Sequence, residues 1–155
     1  MRYLFDISHP AHVHFFRHMI SELERRGHAT TVVARKKDVT VRLLEDMGFD
    51  FVAFGAPSSR GRLGQLRELL TRDWRLIRAA RAFGADAIVT RNPSGVQAAR
   101  ALGIPGIFDT DDGPSAGIHF YAAYPFATHV TSPDCFPEVW GKRHSKYADC
   151  LYPRY

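Results

Sequence analysis

The sequence predicts an α/β protein built on a Rossmann-like, doubly wound parallel sheet, and three observations predict it. Short apolar runs alternate with segments whose apolar residues recur every three to four positions. The short runs are almost continuously apolar, as expected of strands covered by helices on both faces. Glycine follows most of the helical segments, at Gly27, Gly48, Gly84 and Gly103, where a helix end favours it.

The stretch from Arg2 to Gly27 sets the pattern. Tyr3, Leu4, Phe5 and Ile7 read as a buried strand, interrupted near its carboxyl end by Asp6. In Ser8-His9-Pro10-Ala11, Ser8 is the expected helix cap and His9 the alternative, with Pro10 near the first helical position. Val13, Phe16, Ile20 and Leu23 then form one apolar stripe, which places His12 toward the sheet and His14 away from it. His28 to Ala34 is a second strand, rich in β-branched residues. Asp38 caps a helix over Val39 to Met47, and Phe49 to Phe54 is a third strand. Gly55 to Gly64 carries the turn-forming residues of a mobile loop. Leu63, Leu66, Leu70, Trp74, Ile77 and Ala80 define a long helix, with Arg67, Arg72, Arg75, Arg78 and Arg81 around its other side. Ala87 to Val89 and Ile104 to Phe108 are the fourth and fifth strands, flanking a helix over Val96 to Leu102. A short helix over Gly117 to Tyr124 and a sixth strand over Ala127 to Thr131 follow. From Ser132 onward Pro133, Pro137, Gly141 and Pro153 break the pattern, so 1–131 is the expected domain and 132–155 connecting chain.

Length and charge narrow the classes. With 155 residues one domain can bury a good core, and no run approaches the ~20 apolar residues of a membrane span. The expected compartment is cytoplasmic. Cys135 and Cys150 are the only cysteines and lie outside any C-x-x-C pair, so two reduced thiols are expected. The formal charge of +5 suits an anionic partner without choosing one.

Right-handed, covered crossovers lead to the strand order 3-2-1-4-5-6. Ligands of such sheets bind beyond the carboxyl ends of the strands, where the order reverses. On this order His9, His12, Arg91, Asn92, Ser94, Asp109, Asp111 and Asp112 converge on one crevice. The loop SHPAHVH after the first strand has no glycine, which disfavours a dinucleotide cofactor, and there is no Walker A motif. Helix starts at Pro10 and Ser94 offer N–H groups to a phosphate, and Arg91 adds a fork of donors. Histidine and aspartate together also suit general acid/base work on a hydroxyl, or a divalent metal. Metal is the lesser reading: His12 and His14 begin an H-x-H-x-D-H pattern, but Phe16 and Arg17 stand where its Asp and His belong.

DISHPAHVHFF (Asp6 to Phe16) resembles the signature of an uncharacterised archaeal and bacterial family, a domain of unknown function labelled predicted glycosyltransferase. RRGH (Arg25 to His28), VVARKKDVT (Val32 to Thr40), GIPGIFDTDDGPSAGIHF (Gly103 to Phe120) and TSPDCF (Thr131 to Phe136) support it over nearly the whole chain. That family is similar to the GT-B glycosyltransferases and the non-hydrolysing UDP-N-acetylglucosamine 2-epimerases, which have two Rossmann-like halves around a cleft. The resemblance implies an N-terminal, acceptor-side half, with most of the sugar nucleotide held by a second domain. KYADCLYPRY (Lys146 to Tyr155) resembles the entry to that domain, so this chain alone is expected to be inactive.

The function expected from residues and resemblance together is sugar transfer from a nucleotide donor to an acceptor hydroxyl. His12, or in its place Asp111 or Asp112, is the catalytic candidate. His9, Arg91, Asn92, Ser94 and Asp109 are the substrate-binding candidates. No cofactor or metal is expected. A non-catalytic module for a phosphorylated glycan or nucleotide, and an epimerase-like enzyme, are the alternatives. The expected partners are a sugar nucleotide and a phosphorylated or lipid-linked acceptor, without nucleic acid. The arginine-rich helix admits peripheral contact with a membrane, against the simpler reading that its arginines keep the domain soluble.

Overall fold

The computed structural model describes residues 1–36, 38–55 and 62–148, with backbone alone for 38 and 62–70. Seven strands lie in one parallel sheet: β1 (Arg2–Ile7), β2 (Ala29–Arg35), β3 (Phe51–Phe54), β4 (Ala87–Thr90), β5 (Gly106–Asp109), β6 (His129–Pro133) and β7 (His144–Tyr147). Their order is β3-β2-β1-β4-β5-β6-β7, which is the Rossmann-like order the sequence predicts, extended by one strand. The helices are α1 (Pro10–Arg25), α2 (Asp38–Asp46), α3 (Arg62–Phe83), α4 (Pro93–Leu102) and the short α5 (Ile118–Ala123).

Each sheet face has its own core. Phe5, Ile7 and Val89 turn one way to meet Val13, Phe16 and Ile20 of α1 and Leu44 of α2. Leu4, Val33 and Ile88, the alternate residues, turn the other way onto Leu76 and Ala80 of α3 and Ala98 and Ala99 of α4. A third cluster under α5 packs Phe108, Val130 and Val96 against Phe120 and Ala123. The strand order reverses between β1 and β4, so the loops after these strands face each other at the carboxyl edge.

Four details differ from expectation. His9, not Ser8, caps α1: its Nδ1 accepts from the Ala11 N–H at 3.2 Å, while the Ser8 hydroxyl is drawn across the switch point to donate to Asn92 Oδ1 at 2.9 Å. Trp74 lies outside the buried stripe and is 59% exposed. The stripe centres on Leu76 and Ala80, and Trp74 is two residues, about 200°, around the helix from Leu76. The segment after Ser132, expected to be connecting chain, contributes β7, paired with β6 from Val130–His144 to Pro133–Tyr147. HSKY carries no apolar run because this strand is a half-exposed edge, where lysine is a usual resident. Cys135 is disulfide-bonded rather than a reduced thiol, and Cys150 lies outside the described residues. So does most of the expected mobile loop, 56–61.

Two close approaches fix the loops at the carboxyl edge. Gly95, in the first turn of α4, sits where a Cβ would come 2.5 Å from the Thr90 side chain, so α4 begins tight against β4. Gly113 has φ +52°, and a Cβ there would meet the Trp140 ring at 2.2 Å. Trp140 in turn stacks on His144 of β7 with ring centroids 4.5 Å apart. Gly113→Ala is therefore expected to destabilise the fold by about 1–3 kcal/mol, through backbone strain and overpacking together. A thermal melt of the variant beside the wild type checks it; an unchanged melting temperature would show that Trp140 does not hold the acidic loop.

Candidate functional site

The crevice at the switch point has a volume of about 360 Å³ and is lined by residues of the loops after β1, β4 and β5. Of the sequence candidates, His9, His12, Arg91, Asn92, Asp109, Asp111 and Asp112 line it. Ser94 does not: it is buried in the first turn of α4, next to Asp73 of α3. His14 is exposed on the far side of α1.

The floor is organised by Asp6, which is 1% exposed. Its Oδ1 accepts from Arg72 Nη2 of α3 at 2.8 Å. Its Oδ2 accepts from the Thr90 hydroxyl at 2.9 Å and from Asn92 Nδ2 at 3.3 Å. Thr90 Oγ1 also accepts from the Asn92 backbone N–H at 2.8 Å. Asn92 is thus held by both side-chain atoms, its Oδ1 to Ser8 and its Nδ2 to Asp6, and joins the two loops that flank the switch point.

Arg91 organises the opposite wall. Its guanidinium pairs with Asp111 and lies 3.3 Å from Asp109 Oδ2, with its Cζ 5.0 Å from the centre of the Phe15 ring of α1. The Asp109 contact is close enough for an ion pair but not aligned as a hydrogen bond, which leaves Oδ2 without one. Asp109 Oδ1 accepts from Thr131 at 2.9 Å. Burial outweighs the Arg91 charge and pushes the Asp109 carboxyl up to about 6; burial first, and then the Asp109 carboxylate beside it, raise the Tyr147 phenol. Thr110 shapes the acidic turn: its Oγ1 accepts from the N–H of Gly113 at 3.1 Å and of Asp112 at 3.3 Å.

His12 stands between these walls. Burial first, and then the Arg91 charge, lower its imidazole to about 4, with Asp6 opposing. It is neutral at physiological pH, and its buried Nδ1 has no hydrogen-bond partner. The His9 ring centre is 6.1 Å away. His119 of α5 also lines the crevice, and its pKa is lowered, mainly by burial. Sequence reasoning passed over His119, Thr90, Arg72, Tyr147 and the role of Asp6. Only Asp6 had a signal, since an acid inside an apolar strand must find partners. Among the described residues no group of His, Cys, Asp and Glu is arranged to hold a metal ion.

The parallel sheet with this strand order, and the polar, imidazole- and carboxylate-lined crevice at its switch point, make a Rossmann-like α/β fold that is similar to one half of known GT-B chains. Residues 12–133 match the glycosyl transferase 4-like domain, and the chain belongs to that family. In fold it is similar to Acinetobacter baumannii MurG (TM-score 0.72, 20% identity), over 90% of this chain and 44% of that one. It is also similar to the UDP-GlcNAc 2-epimerase from Neisseria meningitidis, solved bound to UDP-GlcNAc (TM-score 0.69, 10% identity; 86% and 40% covered). A third similar structure is SsfS6, a Streptomyces sp. SF2575 glycosyltransferase (TM-score 0.54, 21% identity; 70% and 39% covered). The chain spans less than half the length of each of these. No curated protein is significantly similar to it in sequence.

The two shifted groups oppose each other in stability. The folded state keeps a proton on Asp109 that the unfolded state has lost, between about pH 4 and 6, so this group's contribution falls as pH rises through that window. The unfolded state protonates His12 from about pH 6.5 downward while the folded state resists to about 4, so its contribution rises with pH over that range. Relative to the wild type, Asp109→Asn should gain stability from pH 4 to 6, on the order of 3 kcal/mol across the window, and His12→Gln should lose it. Urea unfolding at several pH values measures both; parallel curves for either variant would refute the shift at that residue.

Proposed function

We propose that this chain is the acceptor-side half of a GT-B-type glycosyltransferase, moving a sugar from a nucleotide donor to an acceptor hydroxyl. The observation that carries the reading is His12: a neutral imidazole lining a polar crevice in a glycosyl transferase 4-like domain. In the reaction His12 takes the proton of the acceptor hydroxyl as its oxygen bonds to the anomeric carbon. The bond from that carbon to the donor phosphate breaks, and the nucleoside diphosphate leaves with the electron pair. Asp111 or Asp112 is the base if the acceptor lies deeper toward the acidic turn. Asn92 orients the acceptor from its fixed position, Ser94 supports that loop from beneath, and His9, Arg91 and Asp109 shape the walls.

UDP complexes among the structural neighbours support a sugar nucleotide as donor, the Neisseria epimerase with UDP-GlcNAc and S. aureus MnaA with UDP. The same neighbours favour an epimerase-like reaction as the second reading, and a non-catalytic binding module is a third. We place the acceptor domain at 1–131 and the passage toward a donor-binding domain in 132–155, with β7 continuing the acceptor sheet inside that passage. A panel of sugar nucleotides assayed with the full-length protein separates the three: transfer, donor isomerisation, or saturable binding without turnover. His12→Gln is expected to lower transfer at least tenfold with the fold intact. Because the imidazole is held near 4, the wild-type rate should stay level from pH 7 down to about 5. Near-wild-type transfer by the variant would remove His12 from the mechanism.

No described helix is long and apolar enough to cross a membrane. We propose peripheral contact instead, through Trp74, which is 59% exposed on α3 with the Arg78 guanidinium 5.6 Å from its ring centre. Sedimentation with anionic vesicles at low salt should carry the protein down, and Trp74→Ala should reduce this severalfold; no sedimentation of the wild type would leave α3 as scaffold.

A further inference from the structure

A second cavity, of about 50 Å³, opens on the other side of Asp6, between α3 and the carboxyl ends of β1, β2 and β3. Its charged lining is Arg35 at the end of β2, Arg72 and Arg75 on α3, and Asp6. We propose that this cavity binds a phosphate or pyrophosphate group carried by the acceptor; this rests on the transferase reading for the word acceptor, and on the cavity alone for the anion.

Arg35, Arg72 and Arg75 bring three guanidiniums to the lining, and the one carboxylate in it, Asp6, is paired with Arg72. Asp6 accepts from Arg72 on one oxygen and from Thr90 and Asn92 on the other, so its negative charge is offset at close range by the Arg72 guanidinium 2.8 Å away. Arg75 is turned inward rather than into solvent. Its Nη1 donates to the Gly55 carbonyl at 2.8 Å and its Cζ lies 5.6 Å from the centre of the Phe54 ring, contacts that orient the fork without neutralising it. Spacing explains the convergence: Arg72, Arg75 and Leu76 share a helix face, and burial of Leu76 against the sheet swings both arginines to its edge. The remaining lining is apolar, from Val33, Ala34, Phe54 and Leu76, and such walls strengthen a charge interaction relative to open water. A volume of about 50 Å³ holds a few water-sized groups, which suits one phosphoryl group with the rest of its ligand outside the opening, and not a whole sugar nucleotide. Planar guanidinium forks match phosphate oxygens two at a time.

The position gives the cavity its role. Asp6 lines this cavity and accepts from Asn92, which lines the His12 crevice, so the two are joined through one hydrogen bond and the proposed ligand would span that contact, its hydroxyl beside His12 and its anionic group among the arginines. The donor phosphates need no part in this.

The test is binding, which is independent of turnover. Inorganic phosphate, pyrophosphate and hexyl phosphate are titrated into the full chain by calorimetry at constant ionic strength. Saturable pyrophosphate binding is expected, weakened at least fivefold in Arg75→Gln and further in the Arg35→Gln/Arg75→Gln double variant. Arg81→Gln, which removes the same charge from the exposed side of α3, should stay within twofold of the wild type. Tighter binding of hexyl phosphate than of inorganic phosphate would assign the anion to a lipid-like acceptor, and the reverse order to a soluble one; both support the cavity. No saturation, equal weakening by Arg81→Gln, or loss of binding in Arg91→Gln with none in Arg75→Gln would overturn the proposal. Circular dichroism melts confirm that the double variant is folded, and Arg75→Met repeats the test if it is not. Transfer assays on the same variants report separately, so a protein that binds pyrophosphate here without transferring sugar refutes the enzyme reading and keeps the site.

Discussion

The carboxylate of Asp6 is the constraint on which the rest of this structure depends. A charge buried at the end of the central strand is tolerated only when each oxygen has a partner. Here the partners come from three elements far apart in sequence: Arg72 of α3, Thr90 of β4 and Asn92 before α4. Satisfying one side chain therefore docks α3 on one side and fixes the switch-point loop on the other. Gly95 completes the arrangement by letting α4 start against Thr90 without a methyl group between them.

A second charge network stands across the crevice and is balanced differently. Arg91 is shared between Asp109 and Asp111 and rests on the face of Phe15, so the α1 helix and the β5 loop are joined through one guanidinium. Asp109 is buried deeply enough that its carboxyl rises to about 6 despite Arg91, and the burial of His12 together with Arg91 keeps that imidazole neutral. The crevice thus pairs a carboxyl displaced upward with an imidazole displaced downward. Groups displaced in opposite directions within one site are the usual arrangement for acid and base work.

The fold is shared with transferases and with epimerases, so it does not choose between them. What distinguishes this chain lies at the carboxyl edge of its sheet. The first loop has a histidine cap and a proline where many nucleotide-binding sheets use glycines, which keeps its backbone further from any ligand and leaves recognition to side chains. Two cavities, one lined by Asp6 and the other by the Asn92 it holds, then divide that edge into a guanidinium region and an imidazole and carboxylate region.

The sequence by itself determined the parallel sheet, its order through the sixth strand and the convergence of most site residues on one edge. These follow from periodicity and from the handedness of crossovers, which are local properties of the chain. It also separated His12 from His14, because 100° per residue is enough to tell a helix's inner face from its outer one. Only the tertiary structure decided the partners. Ser8 looked like a cap and became a ligand of Asn92, because the loop after β4 lies next to it in space. Arg72 and Arg75 looked like solubilising charges, and the phase of Leu76 turned them to the sheet edge, a phase that a long helix with several apolar residues leaves open by one position. HSKY looked like connecting chain because an edge strand needs no apolar run; its place is fixed by hydrogen bonds to β6. Contacts between residues some eighty positions apart, such as Asp6 with Thr90 and Asn92, leave no periodic trace in a sequence, and they are what give this site its charges.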